Sequence, residues 1–239
     1  MCTGKCAKCI GGALYPLALI CIACNILLFF PGWSLEAAEN PGEKLTTEVS
    51  TFLGIVGGGI LVFITAVQIQ ASGRKGCCGN RFGMFLSILC AAIGLAGSLF
   101  CLVTCVVAIH RGPICGYYDT GHINTTAPSP TGSGNLTWGR PLEKPLPEYN
   151  NENYIYHRDT WSKCVEPPNV VEFNFILFSI MLGASSFEVI LCAFQLFNGL
   201  FGVICGTCNK EKMNYKDMEK DTDSDKDSDS IHKKKEAKC

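Results

Sequence analysis

Apolar residues in this chain gather into four long runs instead of alternating with polar ones. The runs are Ile10–Phe30, Phe52–Ala71, Met84–Ile109 and Phe173–Ile204, and none contains Lys or Arg. Each approaches or exceeds the ~20 residues a helix needs to cross a bilayer. A helix of a soluble bundle shows a polar face every few residues, and these runs do not. The pattern predicts an all-α membrane protein, a four-transmembrane-helix bundle with a small disulfide-bridged extracellular loop domain. Its predicted segments are an N-terminal stretch 1–9, helices 10–30, 52–71, 84–109 and 173–204, loops 31–51 and 110–172, a turn 72–83, and a tail 205–239.

Length and composition leave this picture in place. A chain of 239 residues with 48% hydrophobic positions is long enough for a soluble domain, but the segregation of its apolar residues excludes one. The first run follows Lys5 and Lys8 as a signal peptide would. It is too long for an apolar signal region and no small-residue cleavage site follows closely, so it reads as a retained helix ended by Pro31-Gly32.

Charge sets the orientation. Lys5 and Lys8 precede the first helix, Arg74, Lys75 and Arg81 occupy the 72–83 turn without an acid, and the tail carries nine Lys. Excess Lys and Arg in short segments marks the cytoplasmic side. Segment 31–51 has Lys44 against Glu36, Glu39, Glu43 and Glu48. Both termini are therefore expected inside, at the plasma membrane, with 31–51 and 110–172 outside. The sequons Asn124-Thr125-Thr126 and Asn135-Leu136-Thr137 agree, because an N-glycosylated Asn faces the lumen.

Topology sorts the sixteen Cys. Cys115 and Cys164 are the two on the oxidising side. A bond between them would close about 50 residues and constrain the unfolded loop by roughly 4 kcal/mol; pairing across a dimer is the alternative. Cys2, Cys6, Cys9, Cys77, Cys78, Cys205 and Cys208 cluster at the inner face beside Lys and Arg. Two C-x-x-C pairs, Cys6/Cys9 and Cys205/Cys208, suggest zinc when they share one small domain. Here they flank different helices, so S-palmitoylation is the preferred reading and no metal is expected. The Cys inside the spans act as small hydrophobes.

Within the spans, Gly54 and Gly58, and later Gly94 and Gly97, supply small residues that let helix backbones approach. They suit a tight bundle within one subunit or a homo-oligomer. Asn25, Glu188 and Gln195 are the intramembrane polar residues singled out. An ionised carboxylate at Glu188 would cost at least ~2.5 kcal/mol, so a protonated Glu188 bonded to Asn25, Gln68 or a hydroxyl is preferred over a proton or cation site. Helix 173–204 would rise about 48 Å at 1.5 Å per residue, against a hydrocarbon core of about 30 Å. It is expected to tilt or to project outside and support the large loop. The tail mixes Lys with Asp and Ser and has too little apolar surface to fold.

Catalytic chemistry is missing. His110, His122, His157 and His232 lie outside the runs or at their edges, and no metalloprotease, phosphate-loop or dinucleotide motif occurs. No enzyme activity, cofactor or catalytic residue is expected. The basic clusters lack interleaved aromatics, so nucleic acid is not an expected partner.

Met1-Cys2-Thr3-Gly4-Lys5-Cys6-Ala7-Lys8-Cys9-Ile10-Gly11, Asn25-Ile26-Leu27-Leu28-Phe29-Phe30-Pro31, Gly54-Ile55-Val56-Gly57-Gly58-Gly59 and Gly112-Pro113-Ile114-Cys115 occur in order. Trp161, Cys164, Glu166-Pro167, Glu188, Cys192, Gln195, Asn198-Gly199 and Cys205-Gly206 follow. This series resembles the transmembrane 4 L6 family, similar to tetraspanins in layout but distinct in sequence. The chain departs from it in a shorter inner turn, a His122–Pro147 insertion carrying both sequons, Asn174-Phe175-Ile176 in place of a sequon, Phe173 in place of Trp, and the charged tail. The resemblance implies a non-enzymatic membrane organiser. It would sit among membrane lipids, associate laterally with integrins or tetraspanins, and modulate adhesion, migration or proliferation. The alternative is a subunit or regulator of an ion or solute transport complex using the Glu188/Gln195 face. The loop's ends, around Cys115 and 161–166, are expected to be ordered and its 122–147 middle mobile.

Overall fold

The computed structural model describes residues 3–31, 44–52, 54–72, 81–118, 136–143 and 152–205. Helix α1 covers Thr3–Leu28 and so takes in the cationic stretch that precedes the first apolar run. A short α2, Thr47–Ser50, leads to a π-helix π1, Gly54–Leu61, which passes into α3, Val62–Ser72. Helix α4 is Arg81–Arg111 and α5 is Val170–Cys205. Among the described residues, four helical stretches are long and apolar enough to cross a membrane: Cys6–Leu28, Thr47–Ala71, Phe85–Arg111 and Val170–Phe201.

α4 packs on α5, α5 on α1, α1 on π1 and α3, and these on α4, which closes a four-membered ring. Along α1 the buried positions Leu14, Ala18, Cys21, Asn25 and Leu28 are spaced four, three, four and three residues apart. That is the seam spacing of helices packed with ridges in neighbouring grooves. Two apolar clusters fill the ring. One, at the loop end, contains Leu28, Val49, Cys105, Phe178 and Met181. The other, toward the chain termini, contains Ile10, Leu14, Val62, Ile69 and Cys192. Residues facing away from the ring, such as Phe100, Phe187, Phe194 and Phe201, are apolar and exposed, as expected of a surface solvated by lipid tails.

The one feature the apolar pattern does not announce in the second span is π1. Phe52, with φ 53°, stands two positions before it, and Val56 N donates to Phe52 O at 2.8 Å. The wider π turn places Gly54, Gly57, Gly58 and Gly59 in buried positions. A Cβ on Gly57 would lie 2.7 Å from Gly97 O, and one on Gly97 would lie 2.7 Å from Gly57 O. Only glycine at both positions lets π1 and α4 come this close.

The loop domain stands on the opposite end of the ring from Thr3 and Cys205. It holds a two-stranded antiparallel sheet, β1 (Cys115–Tyr118) and β2 (Leu136–Gly139), with Cys115 opposite Gly139 and Tyr118 opposite Leu136. Two 3-10 turns, Tyr154–Tyr156 and Arg158–Lys163, follow. The sheet was not expected from the sequence, because each strand is four residues long and neither shows a clean alternation.

Candidate functional site

Three places carry the chemistry the sequence singled out: the loop domain, a polar layer inside the ring, and the terminal end of α1.

The loop domain is anchored at the end of α4. Gly112 has φ +77° and its N–H returns to Ala108 O at 3.0 Å, a left-handed helix stop that suits glycine. The last α4 carbonyls then need donors. Tyr154 Oη donates to Ile109 O at 2.5 Å and Asn153 Nδ2 donates to His110 O at 3.0 Å. Burial pushes the Tyr154 phenol up to about 12, so it remains a donor at physiological pH. Trp161 Nε1 donates to Tyr154 O at 3.1 Å and its ring meets Phe175 at 5.9 Å, tying the 3-10 turns to α5.

Cys115 and Cys164 form an intrachain disulfide, with Cα atoms 5.5 Å apart. Around it β1 gains a second neighbour: Gly116 N donates to Glu166 O at 2.8 Å and Val165 N donates to Gly116 O at 2.9 Å. Cys115, Cys164, Leu142, Tyr154, Val170 and Val171 make a small core beneath the sheet. The ordered ends of the loop are thus brought together as one body. Asn124 and Asn135 lie outside the described residues; Thr137, of the second sequon, is exposed on β2.

An ionic clamp that sequence reading missed joins this body to α2. Arg140 grips Glu48 with both amino groups, Nη2 to Oε2 at 2.6 Å and Nη1 to Oε1 at 3.2 Å. Arg111 Nη1 adds a 3.4 Å contact to Oε1, and Arg111 Nε reaches Glu143 at 3.5 Å. Glu48 and Arg140 are 8% and 14% exposed, which puts the pair in the regime where geometry decides its worth. Lys44 Nζ stands over the Trp138 ring, 4.9 Å from its centroid. No sequence signal pairs Glu48 with an Arg 92 positions away.

The polar layer lies between the two apolar clusters. Glu188 is fully buried and Cys21 Sγ contacts its Oε1 at 3.8 Å. The partner found is therefore a thiol of α1, where Asn25, Gln68 or a hydroxyl had been expected. Asn25 is buried against Gly54, where an added Cβ would meet its Nδ2 at 2.6 Å. Asn25 Oδ1 and Glu188 Oε2 have no partner among the described residues. Gly58 lies against two sulfurs, 3.0 Å from Cys101 Sγ and 3.2 Å from Cys21 Sγ measured from where its Cβ would stand. Gly94 packs the same way against Thr65, whose hydroxyl donates to Cys90 O at 2.8 Å. Gln195 donates to Ser87 Oγ at 3.2 Å and receives Asn198 Nδ2 at 3.4 Å. Glu188 and Gln195 thus share the buried side of α5 but engage different helices. Among the described residues no group of three His, Cys, Asp or Glu side chains is placed to hold a metal ion.

At the terminal end, Cys6 and Cys9 are exposed, three positions apart on α1, with Lys8 exposed between them. Cys2, Cys77, Cys78 and Cys208 lie outside the described residues, as does the side chain of Cys205.

The family described as L6 membrane protein matches residues 1–209. The chain belongs to the L6 membrane protein family. It is 39% identical over 224 residues to human "Transmembrane 4 L6 family member 1", covering 90% of this chain and 99% of that one. It is 38% identical over 216 residues to rat "Transmembrane 4 L6 family member 4", covering 87% and 94%, and 37% identical over 220 residues to cattle "Transmembrane 4 L6 family member 5", covering 89% and 98%. No solved structure matches the chain. This L6 protein is a multi-pass membrane protein, and the matched region holds the four-helix ring and the loop domain together.

Proposed function

We propose that this L6 family protein is a non-enzymatic organiser of the plasma membrane, with both termini cytoplasmic, that gathers integrins, tetraspanins or other receptors beside it and modulates adhesion, migration or proliferation. The observation that carries the reading is the division of surfaces. Asn25, Glu188 and Gln195 are turned into the ring and packed, while the loop domain, the exposed apolar helix faces and the Cys6/Cys9 pair face outward. Such a molecule has surfaces to display, and Glu188 is closed off from the outside.

Acylation of Cys6 and Cys9, and of Cys2, Cys77, Cys78, Cys205 and Cys208, would add saturated chains at one leaflet. A single acyl chain binds a membrane only marginally, and several chains bias which lipids and neighbours collect there. Glycans at Asn124 and Asn135 would extend from the loop domain, consistent with the exposure of Thr137 on β2.

The test is recovery of partners in mild detergent alongside ion and solute flux, for wild type and Glu188→Gln at matched surface levels. The organiser reading expects integrins or tetraspanins with the wild type and flux that Glu188→Gln leaves unchanged. Flux that depends on Glu188 while partner recovery stays constant would replace it with the transport reading.

A further inference from the structure

Thr46 is the N-cap of α2, with extended backbone at φ −68° and ψ 148°. At that place a threonine hydroxyl ordinarily accepts from the first free N–H groups of the helix. This one makes no such bond. The Thr46 carbonyl receives Val49 N and Ser50 N, each at 3.0 Å, but its Oγ1 has no partner among the described residues although Thr46 is only 6% exposed. A buried hydroxyl in that state has given up its hydration without a replacement bond, which destabilises the fold.

Two small hollows flank it, where the loop domain meets the ring. One is walled by Ala108, Ile109 and Phe178, the other by Leu28, Leu45 and Val49; Thr46, Pro113 and Asn174 line both. Each offers about 10 Å³ for the centre of a water molecule, which is about the room one water needs. Pro113, which lines both hollows, has no N–H to offer the hydroxyl. Asn174 Nδ2 donates to Val170 O at 3.0 Å, which leaves the rest of its carboxamide for the hollows. Tyr154 lines the first hollow and Lys44 the second. Thr46 and Asn174 thus line both hollows with polar side chains, and two partners are enough for a buried water.

We propose that Thr46 and Asn174, with the two hollows beside Pro113, form a water-binding site that joins the base of the loop domain to the helix ring. The hollows are too small for a lipid or a side chain, and the Thr46 hydroxyl makes them unsuited to remaining dry. The loop domain is then held in two ways: directly, by Arg140 on Glu48, and through exchangeable water at Thr46.

Radiolytic hydroxyl footprinting of the full-length protein in nanodiscs tests this, because radicals formed from bound water oxidise side chains that bulk solvent does not reach. After correction for intrinsic reactivity, Pro113 and Phe178 are expected to oxidise several-fold faster than the buried Leu14 and Met181. The excess should vanish in Thr46→Val and persist in Thr46→Ser, with the Cys115–Cys164 bond intact in each. Wild-type rates at Pro113 and Phe178 equal to those of Leu14 and Met181 would overturn the site, whatever the variants do. An excess that survives Thr46→Val would overturn its assignment to Thr46, and one that survives Asn174→Leu its assignment to Asn174.

Discussion

Gly57 of π1 and Gly97 of α4 face each other so closely that a methyl group on either would stand 2.7 Å from the other's carbonyl oxygen. The contact is reciprocal and backbone to backbone, so neither side can yield by turning a side chain. Gly57→Ala or Gly97→Ala should each destabilise the ring by roughly 1–3 kcal/mol, the usual cost of overpacking. The double variant should cost less than the sum, because one separation of the helices relieves both clashes. Thermal unfolding of the detergent-purified protein checks this, and additive losses would mean that the two glycines act independently.

The Glu48–Arg140 pair should behave as a buried ion pair. Replacing either partner alone strands the other, and by analogy with buried pairs Arg140→Met or Glu48→Met should cost roughly 3 kcal/mol. Replacing both with Met should restore much of that loss. Unfolding of the two single variants and the double variant reads the coupling directly. A double variant as damaged as the worse single one would mean that the clamp's stem packing, not its charge, holds the loop domain.

Tyr154 offers a smaller effect of the same kind. Tyr154→Phe keeps the ring in the loop core but leaves Ile109 O without its donor, a loss of about 1 kcal/mol. Faster hydrogen exchange confined to the last turn of α4 and the 3-10 turns is the expected signature. Exchange that rises equally throughout the ring would point to a global role instead.

Removing the disulfide should loosen the loop far more than the ring. The bond links residues 49 apart, and on the chain-entropy view its loss is worth about 4 kcal/mol to the closed segment. Cys115→Ser with Cys164→Ser should make the loop protease-sensitive while the four spanning helices keep their protection. Loss of the helices as well would show that the ring depends on the loop for folding.

The ring was legible in the sequence because lipid imposes one rule on every spanning residue: apolar outside and hydrogen-bonded within. That rule exposed four helices, and the charge pattern, which predicts an outer side for segment 110–172, singled out Cys115 and Cys164. The rest was hidden for physical reasons. A π turn has no periodicity of its own at Gly54–Gly59, where apolar residues occupy every face. Glu48 and Arg140 come from different loops, and each looked like an ordinary solvated charge. Glu188 advertised itself by being out of place in an apolar run, but its contact with the Cys21 thiol did not, since Cys in a span reads as one more small hydrophobe. Asn174 is buried, with its amide turned back to Val170 O.

The central claim, that the molecule works by gathering neighbours, is tested most directly by proximity labelling at the surface of intact cells. The comparison is wild type against a variant with Cys2, Cys6, Cys9, Cys77, Cys78, Cys205 and Cys208 changed to Ser, at equal surface density. A labelled neighbourhood rich in integrins or tetraspanins that shrinks several-fold in the variant is the predicted result. A neighbourhood that is the same in both, and indistinguishable from that of an unrelated four-span protein, would contradict it.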